Sequence, residues 1–303
     1  MKDIDNLIED IRSSELEPND DNDKRCAPGK VFSEGSCIEL DVLIELVKAY
    51  NEENSASSIK LIPQLDTLNP KKYKKYLVKN LKENLSSICD DQSCWLRQDF
   101  VKRMKTEAQK QIKSKTFRPY GPQGKFTWLD TNNINNVMKQ YEETFPEFKF
   151  LGAVPIDFND LDYLNINNLD FDDLLKKGKS KIGIVFNLDE HYKSGSHWVA
   201  SYFDLKKQQI YFSDSYGYRP EQRIRALLRR VARFDKNKYG GTEPDIKYNK
   251  KRHQYGNSEC GVYSINFILR LLQGETFEDL TSKRLDDNKV NECRDVYFRK
   301  IKK

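Results

Sequence analysis

The sequence predicts an α+β domain carried behind a smaller helical one, and three observations carry that prediction. Val262, Ile265, Leu269 and Leu272, with Ile268 beside them, recur at spacings of three and four and mark a buried helix. Upstream of it, β-branched and aromatic runs separated by turn residues mark short strands at 181–188, 197–204 and 209–213. Before these comes Pro119-Tyr120-Gly121-Pro122-Gln123-Gly124, a cluster of helix and strand breakers where a domain boundary is expected. Strands with helices before, among and after them define the α+β class.

Composition narrows the function classes. The chain has 303 residues, 37% hydrophobic and 33% charged, enough for one core of ordinary size and an appendage. It contains no run of about eighteen apolar residues and no basic start followed by an apolar stretch, so neither a membrane span nor a secretory signal is expected. Cysteines at 26, 37, 89, 94, 260 and 293 are too sparse for a secreted disulfide scaffold, and free thiols in a reducing compartment are the expectation. The 26/37 gap is far longer than that of zinc knuckles, so the two pairs 26/37 and 89/94 do not make a matched set, and no metal and no other cofactor is expected.

Taken in order, residues 1–25 form an acidic flexible tail: residues 1–24 hold nine acidic and three basic side chains, against a net charge of +5 for the whole. One periodic patch, Ile4, Leu7, Ile8 and Ile11, interrupts it. Residues 26–118 make a helical N-terminal domain. A loop from Cys26 to Cys37 leads to an amphipathic helix to about Asn51, and two further helices cover 71–88 and 95–113. From 119 to 303 runs the second domain. Thr131 is placed to cap a helix built on Ile134, Val137, Met138 and Tyr141. The strands follow, and after them Ile224, Leu227, Leu228, Val231 and Phe234 form one stripe of a helix over 221–234. Arg223, Arg225, Arg229, Arg230 and Arg233 lie largely off that stripe. A fourth strand is expected at 246–248.

The chemistry centres on His253-Gln254-Tyr255-Gly256-Asn257-Ser258-Glu259-Cys260-Gly261, which leads into the apolar helix. A thiol at a helix's first turn sits among unpaired backbone N–H groups and at the positive end of the dipole, which makes a cysteine nucleophilic. The chain has three histidines to serve as its base. His197 opens a strand behind the flexible Lys193-Ser194-Gly195-Ser196, so its ring emerges at a strand end. His253 is the second choice, and His191 is read as a surface loop residue. A base needs an acceptor to orient it. A hairpin turn centred between Lys206 and Lys207 would set residue 214 opposite 199, on the face of 197 and one diagonal step away, which brings Asp214 within reach. A one-residue slip would turn it to the other face. Donors for an oxyanion would come from the Cys260 backbone and the Gln254 amide.

Several motifs together resemble one family. These are Gly195-Ser196-His197-Trp198-Val199-Ala200, Tyr211-Phe212-Ser213-Asp214-Ser215, Gln254 six residues before Cys260-Gly261, and Trp128-Leu129-Asp130-Thr131. The pattern is similar to the SUMO-deconjugating cysteine proteases and their viral relatives of the adenovirus and African swine fever virus type, over about residues 120–300. Among these it looks most like the polyprotein-processing proteases of large cytoplasmic DNA viruses, which also carry a helical part before the core.

The resemblance implies a papain-like core, a central mixed sheet flanked by helices in the permuted order His-Asp-Gln-Cys, acting as a thiol endopeptidase. It implies His197, Asp214 and Cys260 as catalytic residues and Gln254 in the oxyanion hole. Trp128 and Trp198 would roof a tunnel for a Gly-Gly stretch, although the Asp130-Thr131 half of that motif departs from the family's pattern. The implied partner is a viral structural polyprotein cut during virion maturation, in host cytoplasm and virion. A SUMO- or ubiquitin-deconjugating effector, or an acetyltransferase on the same fold, is the alternative. Because the adenovirus relative uses DNA as an activator, the arginines of 221–234 are also a candidate DNA-binding face.

Overall fold

The computed structural model describes residues 22–62 and 65–300 and divides into two compact units. One unit holds the described residues 120–297, the other 22–119 together with Phe298–Lys300. The acidic tail and its Ile4, Leu7, Ile8, Ile11 patch lie outside the described residues as far as 21, and Asn22–Lys24 form a single 3-10 turn.

In the helical unit the elements are α1 (Leu40–Glu53), α2 (Leu65–Leu68), α3 (Pro70–Leu85), α4 (Gln92–Trp95) and α5 (Thr106–Lys115). Asn69 caps α3 by accepting from the Lys72 N–H at 3.2 Å, with Pro70 at the first helical position where a missing N–H costs nothing. Leu43, Leu46 and Val47 of α1 meet Leu77 and Leu81 of α3 in a core completed by Trp95, Phe100 and Ile112. Each such side chain contributes about 2 kcal/mol by leaving water.

Three expectations are corrected here. The helix expected over 95–113 is broken, because Gln98, Met104 and Lys105 are extended and a short 3-10 segment, Asp99–Arg103, lies between α4 and α5. Cys26–Cys37 and Cys89–Cys94 are disulfides rather than free thiols, their Cα atoms 5.3 and 5.4 Å apart. Spacing along the chain gave no hint of either approach. Residues 298–300, counted with the second domain in the sequence, join the helical unit. There the Arg299 N–H donates to the Pro119 carbonyl, its Nε to the Arg118 carbonyl, and Lys300 accepts from Asn22 Nδ2.

The second unit contains α6 (Thr131–Thr144), β1 (Phe148–Pro155), α7 (Phe171–Lys176), β2 (Lys181–Asn187), β3 (Trp198–Asp204), β4 (Gln209–Ser213), α8 (Gln222–Lys238), β5 (Asp245–Tyr248), α9 (Cys260–Leu272), α10 (Phe277–Thr281) and α11 (Asp287–Tyr297). The sheet runs in the order β1-β2-β3-β4-β5. Its outer pairs are parallel and its inner pairs antiparallel, which makes it mixed. Strand β1 was not expected from sequence. Its Phe-Lys-Phe-Leu-Gly-Ala-Val-Pro alternates poorly because the register shifts between Phe150 and Ala153.

The two faces of the sheet are covered by different helices. Ile182, Ile184 and Phe186 of β2 point to the face where Ile224, Leu227, Leu228 and Val231 of α8 pack. Gly183 points to the other, where an added Cβ would lie 2.9 Å from Phe148 and 3.1 Å from Ile268 of α9. α9 is buried along its whole length and is apolar on most sides, with Ser264, Asn266 and Arg270 as its buried polar residues. Among the described residues no helix is long and apolar enough to cross a membrane.

One group on α8 opposes this packing. Asp235 is fully buried, neither carboxylate oxygen has a hydrogen-bond partner, and burial together with the charge of Asp204 pushes its carboxyl up to about 7. The folded state therefore holds a proton that the unfolded chain has released, and stability falls as pH rises from about 4 to about 7. Asp235→Asn is expected to raise the melting temperature by an amount that is smallest near pH 4 and grows to a plateau above pH 7. Thermal scans across that range check it.

Candidate active site

Two neighbouring strand ends and a helix start carry the candidate residues. His197 directly precedes β3 and Asp214 directly follows β4. Ala200 pairs with Ser213, the register that a turn centred between Lys206 and Lys207 requires, so these two residues emerge side by side. His197 Nε2 meets Asp214 Oδ1 at 2.7 Å. The ring's other nitrogen is left for Cys260, which lies close enough for its side chain to raise the pKa of the imidazole. All three side chains are buried.

Cys260 is the first residue of α9. No side chain caps this helix. Glu259, at the capping position, turns its carboxylate back onto the Ser258 hydroxyl and N–H at 2.5 and 3.0 Å and takes the Asn291 amide at 3.0 Å. Its burial opposes ionisation, but these bonds hold the carboxyl below the usual range. The first N–H groups of the helix thus have no side-chain acceptor beside the sulfur. Gly261 follows because a Cβ there would come within 3.0 Å of Leu129, the residue after Trp128.

The three histidines lie in three different electrostatic settings. Burial by itself lowers the pKa of His197, yet the bonds to Asp214 and then Cys260, with the charges of both, outweigh it and raise the value to about 9. His253 moves the other way, to about 4, through burial and the nearby Lys251, Arg270 and Arg284. Its Nδ1 accepts the Leu285 N–H at 2.9 Å, so it is a neutral acceptor inside the fold and no base for Cys260. His191 is half exposed, and its Nδ1 lies 2.6 Å from Asp157 Oδ2, a second His-Asp pair with no cysteine in contact with it.

Gln254 is fully buried. Its Oε1 accepts the Ser215 hydroxyl at 2.6 Å, which fixes the amide's orientation, and Nε2 gives one hydrogen to the Gly256 carbonyl at 3.1 Å, leaving the second for a ligand. Trp198 is 5% exposed and donates its indole N–H to the Leu129 carbonyl at 2.8 Å. Trp128, on the same segment, is 43% exposed. The two tryptophans therefore differ: one is packed under the 128–130 segment and the other stands open.

The five arginines of α8 also divide. Arg223 pairs with Asp160, and Arg230 donates to the Ile166 and Asn167 carbonyls, while Arg225, Arg229 and Arg233 are exposed. Among the described residues no group of three or more His, Cys, Asp or Glu is placed to hold a metal.

Several residues of the site carry no sequence signal of their own. Tyr216 stacks on the His197 ring, centroids 4.6 Å apart and planes 22° from parallel. Asp287 Oδ2 accepts the consecutive N–H groups of Tyr255 and Gly256 at 2.9 and 3.0 Å, and its Oδ1 the Tyr263 hydroxyl. Arg294 donates to the Ser258 carbonyl and to Asn291. Helix α11 and the loop before it thereby hold the 253–259 loop from behind. Ser215, Ser258 and Glu259, by contrast, lie within stretches that the sequence marks.

A family model described as the Ulp1 protease family, C-terminal catalytic domain, matches residues 171–303. The chain is 39% identical to a thiol protease of Acanthamoeba polyphaga mimivirus, over 90% of this chain and 93% of that protein. It is 24% identical to the SUMO-1 cysteine protease of African swine fever virus, over 78% of this chain and 93% of the relative. The crystal structure of the African swine fever virus protease shares the fold with a TM-score of 0.58 at 24% identity, covering 79% of this chain and 94% of that one.

Histidine-selective NMR titration checks the electrostatics. The His197 ring is expected to stay protonated to about pH 9 and the His253 ring to stay neutral down to about pH 4. In Cys260→Ala the His197 value is expected to fall, since the bond to Cys260 and its charge both raise it.

Proposed function

The chain belongs to the Ulp1 family of thiol proteases, and on that basis we propose that it is an endopeptidase that cuts after Gly-Gly-type sites in structural polyproteins during virion maturation. The observation that carries the chemistry is the hydrogen-bonded pair of His197 and Asp214, buried beside Cys260 at the tip of α9.

In this reading His197 holds the proton of the Cys260 thiol, and Asp214 fixes the ring and balances its charge. Sγ attacks the scissile carbonyl carbon, a C–S bond forms, and the carbonyl electron pair moves onto oxygen. The Cys260 N–H and the free hydrogen of Gln254 Nε2 receive that oxyanion. As the C–N bond breaks, His197 passes its proton to the leaving amine. Water, giving a proton back to the imidazole, then attacks the thioester carbon and releases the sulfur. Trp128 and Trp198 are assigned to the wall of the acyl-side channel. The preference for Gly-Gly rests on the resemblance of the Trp128 and His197-Trp198 segments to those of the SUMO-deconjugating proteases.

Cys260→Ala and His197→Ala are each expected to lower cleavage by about 10³-fold or more, with melting temperatures nearly unchanged. Gln254→Ala is expected to lose about 10²–10³-fold. Incubation with candidate capsid polyproteins and sequencing of the new N-termini tests the substrate, with SUMO and ubiquitin conjugates run in parallel. Cleavage of the conjugates alone would replace the polyprotein reading with deconjugation.

A further inference from the structure

We infer that Arg252 is a receptor for a carboxylate on the leaving-group side of the substrate, so that the enzyme favours an acidic residue shortly after the scissile bond. This deepens the thiol-protease reading of the same site and rests on it. From the imidazole outward, planar groups are layered one on another. Tyr216 lies on His197. The Arg252 guanidinium lies 5.1 Å from the Tyr216 ring centre and 4.6 Å from that of Tyr255. Arg284 closes the stack 4.3 Å from Tyr255.

Arg252 is held on three sides, since its Nε also donates to the Gln254 carbonyl at 2.8 Å. The backbone under it is fixed as well. Gly217 has φ +80°, and a Cβ there would lie 3.0 Å from the Lys250 carbonyl oxygen and 3.1 Å from the Arg252 nitrogen, so only glycine lets the turn after Asp214 lie against 250–252.

What this guanidinium lacks is an acid. Arg284 has Asp286 and Asp287 at 3.6 and 3.7 Å, whereas Arg252 is exposed and no carboxylate among the described residues pairs with it. Asp287 is already occupied by the Tyr255 and Gly256 N–H groups. An ordered arginine between two aromatic faces, with its Nε engaged and its terminal nitrogens free, is a bidentate fork for a carboxylate that loses little side-chain freedom on binding. The exposed Lys250 and Lys251 beside it add positive potential.

The side of the cut follows from the proton. The leaving amine must take its proton from His197, so the chain beyond the scissile bond passes over that ring, and Tyr216 and Arg252 are the groups layered on it. Under the proposed function the acyl side is assigned to the tryptophan segment.

The test uses quenched Gly-Gly peptides with Glu, Gln or Lys at each of the first three positions after the cut. Glu is expected to exceed Gln in kcat/KM by about tenfold at one of them. Arg252→Gln is expected to bring that ratio near one and Arg252→Glu to invert it in favour of Lys, an inversion that a merely structural role would not produce. Equal rates for Glu and Gln in the parent enzyme, or an unchanged preference in Arg252→Glu, would overturn the proposal. If no peptide is cut, the substrate reading has failed, and fluorescence anisotropy with leaving-side peptides then decides the subsite. Tighter binding of the Glu peptide than the Gln peptide to Cys260→Ala, lost in Cys260→Ala/Arg252→Glu, supports it; equal binding refutes it.

Discussion

A helix that begins at its own nucleophile cannot be capped in the ordinary way, and much of the second unit is arranged around that fact. A side-chain cap at position 259 would take the N–H groups that have to face a developing negative charge beside Cys260. Glu259 occupies the position but turns away, and the fold has to supply other partners for a carboxylate that is 3% exposed. Ser258 and Asn291 do so, and Arg294 ties the Ser258 carbonyl to the same helix. Without them a buried negative charge would stand uncompensated, a defect that costs several kcal/mol.

The same helix α11 and the loop before it fix the segment that carries Gln254. Asp287 takes two consecutive backbone N–H groups, and Leu285 gives its own to His253. A loop of polar residues beside a catalytic cysteine would otherwise be free to move, and a shift of about 1 Å can cost a factor of 10² in rate. The buried His253 belongs to this scaffold, which accounts for a pKa pushed opposite to that of His197 although both are buried. Burial disfavours charge on each, and only His197 has a carboxylate to reverse the outcome.

His191 with Asp157 shows why a histidine and an aspartate in contact are not by themselves a site. Their separation of 2.6 Å is slightly shorter than that of His197 and Asp214. What differs is the setting: one ring is half exposed on a loop, the other is buried against a thiol at a helix tip.

Local chemistry made some of this protein legible in its sequence. The periods of α8 and α9, the boundary near Pro119 and the strands β2 to β4 follow from residue patterns that act over a few positions. The hairpin register that sets Asp214 beside His197 follows from one short turn. Strand β1 was hidden because its irregular pairing breaks the alternation, and the disulfides were hidden because the distance between two cysteines depends on the path of the chain. Tertiary structure alone decided that His253 is a buried acceptor and His191 a second His-Asp pair, which tryptophan is buried, and that Tyr216, Asp287 and Arg294 surround the site. Those are contacts between segments up to 69 residues apart, and their energies arise from burial and charge shared across the fold rather than from any residue's neighbours in sequence.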